Sequence, residues 1–156
     1  MRRATGFTLI EMVVVVAIVG ILAAAAQPLL GLAVRREKEF ELHRALRALR
    51  GAIDAYHQAA LDGRIAVKPP DDNGYPSSLQ TLVDGVPSLA AKDRTIYFLR
   101  RLPRDPFADP ATPAAQTWGL RSYASPPDAP QAGSDVFDVY SQAPGDGLDG
   151  QPYRSW

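Results

Sequence analysis

The chain has 156 residues, which leaves room for one modest core of the commonest domain size beside any extended terminal segment. Lysine plus arginine balances aspartate plus glutamate at 17 each, so net charge announces neither a nucleic-acid binder nor an acidic solvating tail. With no cysteine, disulfide frameworks, thiolate metal sites, cysteine nucleophiles and lipid attachment through cysteine are all excluded.

The chain opens with two arginines, Arg2 and Arg3, and then reads Gly6-Phe7-Thr8-Leu9-Ile10-Glu11 into an apolar run. No residue over 12–26 is polar or charged, so Glu11 stands at the mouth of an uncharged stretch, where an unpaired carboxylate costs several kcal/mol. Residues 12–34 as a helix would extend roughly 34 Å, enough for a hydrocarbon core of about 30 Å. Pro28 falls inside this pattern and removes one backbone donor, which predicts a kink or local unwinding over 24–27. An ordinary secretory signal is the competing reading, with Ala24-Ala25-Ala26 as the cleavage site. Against it, a carboxylate at the edge of the apolar core serves nothing in a discarded peptide, and the helical pattern runs on unbroken through Ala26.

The run from Gly6 through Glu11 and on to Pro28 resembles the N-terminus of type IV pilin-like proteins, the pilins and pseudopilins. The resemblance implies that a prepilin peptidase removes residues 1–6 by cutting between Gly6 and Phe7, after which the new Phe7 amine is methylated. A cationic Phe7 amine on one subunit is then a partner for Glu11 of a neighbour. At about 4 Å and an effective dielectric near 20 that attraction is roughly 4 kcal/mol before desolvation, enough to set axial register. The inert alternative is a Glu11 carboxylate solvated among lipid headgroups.

After Val34 the sequence turns charged, at Arg35, Arg36, Glu37, Lys38 and Glu39, without any helix-breaking residue. Leu42, Leu46, Leu49, Ile53, Tyr56 and Ala60 then recur at spacings of three and four with arginines between them, which predicts one buried face. The helix is expected to stop over 61–64, at Asp62-Gly63, with Lys68-Pro69-Pro70 forbidding its return. A helix of more than fifty residues is abnormal for a globular fold, and a segment 7–34 for membrane and assembly followed by an amphipathic half 35–64 accounts for it.

All but one of the fourteen prolines lie at or beyond Pro69, which marks residues 65–156 as a separate, loop-rich globular region. Asp71-Asp72-Asn73-Gly74 predicts a turn, and Ser77 is the expected cap of a short helix over 78–83. Three prolines make 103–110 a loop. Strands are expected over 118–124 and 136–141, with a third short one over 152–155, giving a small antiparallel sheet against the helix stripe. The fold class is therefore α+β, with a long N-terminal helix packed on a small C-terminal sheet.

Gly74-Tyr75-Pro76-Ser77, Leu102-Pro103-Arg104-Asp105-Pro106 and Phe137-Asp138-Val139-Tyr140-Ser141 occur in the order seen in the major pseudopilins of type II secretion, which narrows the resemblance. In that family the loop after the last of these motifs binds calcium. Here its carboxylates are Asp146 and Asp149, which need help from Ser141, Asp138 or backbone carbonyls to supply six to eight oxygens. Asp146-Gly147 and Asp149-Gly150 read equally as plain turns, and Arg154 puts a cation close by.

Other chemistry has little support. His43 and His57 are fourteen residues apart on one helix, about 21 Å, too far to share a metal. There is no nucleophile elbow, phosphate loop or dinucleotide glycine pattern, so no enzyme is expected. Arg100, Arg101 and Arg104, interrupted by Asp105, read as a solvated loop more readily than as a DNA patch.

The resemblance thus implies a structural subunit anchored by one helix in a bacterial inner membrane, with its C-terminal region in the periplasm. It would polymerise with its own copies and with minor pseudopilins, served by the prepilin peptidase, an inner-membrane secretion platform and a cytoplasmic ATPase. The alternatives are a minor pilin of a type IV pilus and, in another class, a signal-cleaved periplasmic binding module.

Overall fold

The computed structural model describes residues 7–66, 73–91 and 93–156, and the side chains of residues 25–30 lie outside the described residues. Helix α1, Leu9–Leu61, has 53 residues, as the uninterrupted periodicity predicts. It is assigned as helix through Pro28, whose side chain is among those outside the described residues, and with it the expected kink. The described apolar side chains of its first part run from Leu9 to Ala24 and are exposed to the surroundings. Among the described residues no helix is long and apolar enough to cross a membrane.

The chain divides into two compact units, the second beginning at Lys38. In that unit α1 buries Leu42, Ala45, Leu46, Leu49, Ala52 and Ile53 along one face, the stripe read from the sequence with its alanines added. Leu79, Leu82, Trp118, Val136, Val139 and Tyr153 close over it to form one core. Burying a leucine or valine contributes about 1.5 to 3 kcal/mol, so this stripe holds the unit together. At the end of α1 the chain reverses, with Arg64 N–H donating to Ala59 O at 2.9 Å. Ala59, Ala60 and Ile65 form a second small cluster there, under Val86, Ile96 and Phe98. The helix stops at Leu61, within the expected 61–64, while Lys68-Pro69-Pro70, expected to forbid its return, and Asp71 and Asp72 of the next turn lie outside the described residues.

Helix α2, Leu79–Asp84, is capped by Ser78 and not by Ser77. Ser78 has the extended backbone a cap needs, and its hydroxyl accepts from Thr81 N–H at 3.4 Å, while Ser77 is exposed. Strands β1, Val86–Pro87, and β2, Thr95–Ile96, form a two-residue antiparallel ladder that the sequence did not reveal, since Pro87 argues against a strand. The expected sheet is β3, Trp118–Arg121, paired antiparallel with β4, Asp138–Ser141, each shorter than predicted at the end that faces their connecting loop. Gly119 lies opposite Tyr140, and a Cβ there would come 2.3 Å from the tyrosine ring, so only glycine lets that ring cross the strand. The third strand expected over 152–155 is instead a 3₁₀ turn, Tyr153–Ser155. Only Pro152 pairs, with Asp146, and Tyr153 N–H is drawn to Gly145 O at 3.2 Å instead of to a strand. The architecture is α+β and pilin-like.

Candidate functional site

Two places carry the residues singled out by sequence: the start of α1 and the loop after β4. Gly6 lies outside the described residues, and Phe7 is three-quarters exposed. At the start of α1, Thr8 N–H donates to Glu11 Oε2 at 3.4 Å, while Glu11 N–H donates to Thr8 Oγ1 at 3.3 Å. This is a reciprocal capping box, each side chain satisfying a backbone donor that the helix start leaves open. The Thr-x-x-Glu spacing that signals it was present in the sequence. Glu11 therefore has a local task, and because the carboxylate is exposed it keeps acceptor capacity for a further donor.

The loop after β4 is fastened from within. Gly147 N–H donates to Gln151 O at 2.7 Å, and Gly150 N–H to Gly147 O at 2.9 Å. Asp149 Oδ1 accepts from Gln151 N–H at 3.0 Å. Its fastening to α1 is made by a residue that sequence reasoning passed over. Glu39, buried on α1, accepts from Leu148 N–H at 3.0 Å and from the Tyr153 hydroxyl at 2.9 Å, both on Oε1. Nothing in a charged Arg-Arg-Glu-Lys-Glu stretch marks one glutamate as buried; only its place one turn before Leu42 on the buried stripe hinted at it.

The side chains expected to help Asp146 and Asp149 hold a calcium ion are engaged elsewhere. Asp138 Oδ1 accepts from Arg50 Nε at 2.8 Å and Oδ2 from Arg121 Nη2 at 3.4 Å. The Ser141 hydroxyl donates to the buried Asp105 carboxylate and accepts from Ala143 N–H at 3.1 Å. The carbonyls of Gly145, Gly147 and Gln151 all accept bonds inside the loop. Among the described residues no three histidine, aspartate or glutamate side chains gather at metal-binding distance. Asp146 and Asp149 alone do not make the six or more oxygens of a calcium sphere, so the donor set does not fit that ion.

The three downstream motifs converge in space. Val136 N–H donates to Pro76 O at 2.8 Å, and Tyr75 packs edge-on to Phe137. The Ser141–Asp105 bond joins the second motif to the third. Arg104 turns inward on its own loop, bonding the carbonyls of Asp109, Pro110 and Thr112, so the arginine trio is not one basic patch. His43 stacks on Trp156 and His57 on Tyr75, in separate places, as their spacing required. The Tyr75 phenol is raised above its ordinary value, first by its partial burial and then by Tyr123, Asp54 and Asp135 near it.

Residues 1–27 match the family model described as the prokaryotic N-terminal methylation motif. The chain is 32% identical over 115 residues to the type II secretion system core protein G of Aeromonas hydrophila, covering 70% of this chain and 71% of that protein. The type II secretion system core protein G of Klebsiella pneumoniae is 34% identical over 114 residues, covering 69% of this chain and 71% of that protein. The corresponding Vibrio cholerae protein is 36% identical over 111 residues, covering 70% and 69%. No solved structure gives a significant match.

Proposed function

The chain belongs to the type II secretion system core protein G family, and on that premise we propose how it is processed, anchored and assembled. It is a structural subunit of the type II secretion pseudopilus, a fibre that helps drive folded proteins out of the periplasm. The observation that carries this is the identity of 36% over 111 residues to a core protein G, together with the methylation motif over residues 1–27. The chain acts by packing and does no chemistry of its own.

Processing removes residues 1–6, leaving a methylated amine on Phe7. Residues 7–34 hold the subunit in the bacterial inner membrane, with the unit that begins at Lys38 in the periplasm. Support for that anchor is the absence of any charged residue over 12–34, followed at once by Arg35 and Arg36. On assembly, Glu11 receives the Phe7 amine of a neighbouring subunit in addition to its own Thr8 amide. Copies of the chain, minor pseudopilins, the prepilin peptidase and the inner-membrane platform are its partners.

Deleting the gene in its own host tests the reading. Export of folded periplasmic proteins should stop while type IV pili persist. Loss of pili with secretion intact would instead make the chain a minor pilin.

A further inference from the structure

We propose that in this chain the Glu39 carboxylate fastens the loop after β4 to α1, and that the loop closes without a metal ion. A loop rich in glycine and aspartate needs an external tie, because its own turns do not fix where it rests. Here the tie is one carboxylate oxygen, Glu39 Oε1, which takes a backbone donor from the loop, Leu148 N–H, and a side-chain donor from the 3₁₀ turn beyond it, the Tyr153 hydroxyl. The second half of the loop and the turn that follows it are therefore drawn to one point on the helix. A cation would do the same task with the opposite sign, by gathering carbonyls and carboxylates; Glu39 gathers donors.

Other bonds of the loop agree with that polarity. The Gly147 and Gln151 carbonyls accept from the loop's own amides, the Gly145 carbonyl accepts from Tyr153 N–H, and Asp149 Oδ1 accepts from Gln151 N–H. Gly147 is packed under the Trp156 ring, where a Cβ would lie 2.2 Å from Cζ2, so the loop has been drawn down onto aromatic rings. Tyr153 stacks on Phe107 and meets Trp156 edge-on, which orients its hydroxyl toward Glu39. These contacts belong to the second unit alone, so the inference stands even if the fibre served another machine.

The test uses the full chain in detergent, with thermal unfolding followed by tryptophan fluorescence in chelator and in millimolar calcium. The two melting temperatures should coincide, and calorimetric titration with calcium alone should show no heat of binding. Glu39→Ala should lower the melting temperature by roughly 5 °C or more, with no recovery on adding calcium. Tyr153→Phe, which removes one donor and keeps the ring, should lower it by less. A fall in chelator that calcium reverses would overturn the proposal. So would Glu39→Ala and Tyr153→Phe proteins that melt like the parent.

Discussion

The Ser141 hydroxyl on β4 donates to the carboxylate of Asp105, 36 residues earlier in the chain, and both residues are buried. Asp105 also accepts from Phe107 N–H at 2.8 Å, and its own amide donates to Thr117 Oγ1 at 3.1 Å. One residue thus fixes the proline-rich loop and the end of β4 through its carboxylate and the entry to β3 through its amide. Asp105→Ala strands the Ser141 hydroxyl and the Phe107 amide inside the core. It should destabilise the unit by about 3 kcal/mol in chemical denaturation, and an unchanged midpoint would refute the role.

Arg50 makes the complementary tie from the helix. Its guanidinium reaches Asp138 Oδ1 at 2.8 Å, Val139 O at 3.1 Å and Trp156 O at 2.6 Å. Lysine carries three donors on a single nitrogen and lacks the planar fork whose separate nitrogens reach these three acceptors at once. Arg50→Lys should therefore cost nearly as much as Arg50→Met, about 2 kcal/mol for either, measured by urea unfolding. Full retention of stability by the lysine variant would show that charge alone suffices.

Much of this was legible from residue patterns, and the remainder was not for definite reasons. The stripe Leu42, Leu46, Leu49, Ile53 is local periodicity, and α1 follows it. The turn at Asp62-Gly63 and the β3–β4 pair likewise follow from turn chemistry and aromatic runs. Glu39, Arg50 and Asp105 are different, because a wholly or partly buried charge is defined by partners up to 114 residues away, and no window of sequence contains both ends. Residues 152–155 look like a strand by composition, yet Tyr153 is taken by Glu39 and the core before it can pair. The Thr8–Glu11 capping box is legible as a Thr-x-x-Glu spacing within the same residues that carry the pilin-like resemblance.

Two variants separate the cap that Glu11 makes from the assembly contact proposed for it. Thr8→Ala removes only the local cap and should weaken the start of α1 by about 1 kcal/mol while leaving fibre formation intact. Glu11→Ala should lose the cap and also abolish incorporation into fibres, scored by shearing and immunoblotting. Equal assembly in the two variants would confine Glu11 to capping.

Tyr75 gives the alkaline limb of stability. Its folded value is raised, so the folded protein keeps the phenol proton to a higher pH than the unfolded chain does. Stability is then unaffected below the unfolded phenol value of about 10 and declines as pH rises above it, because only the unfolded state gains from losing the proton. Melting temperatures taken from about pH 9 to 11 should fall less steeply in Tyr75→Phe, which keeps the stack on His57. Parallel slopes for the two proteins would remove Tyr75 from the account.

The central claim is that this chain is a processed, filament-forming pseudopilin, and the mass of its mature N-terminus tests that most directly. Intact and peptide mass spectrometry of protein from its own host should find a chain that begins at Phe7 and carries one methyl group on the amine. A mature chain beginning at Gln27, or one that still carries Met1 through Gly6, would contradict it.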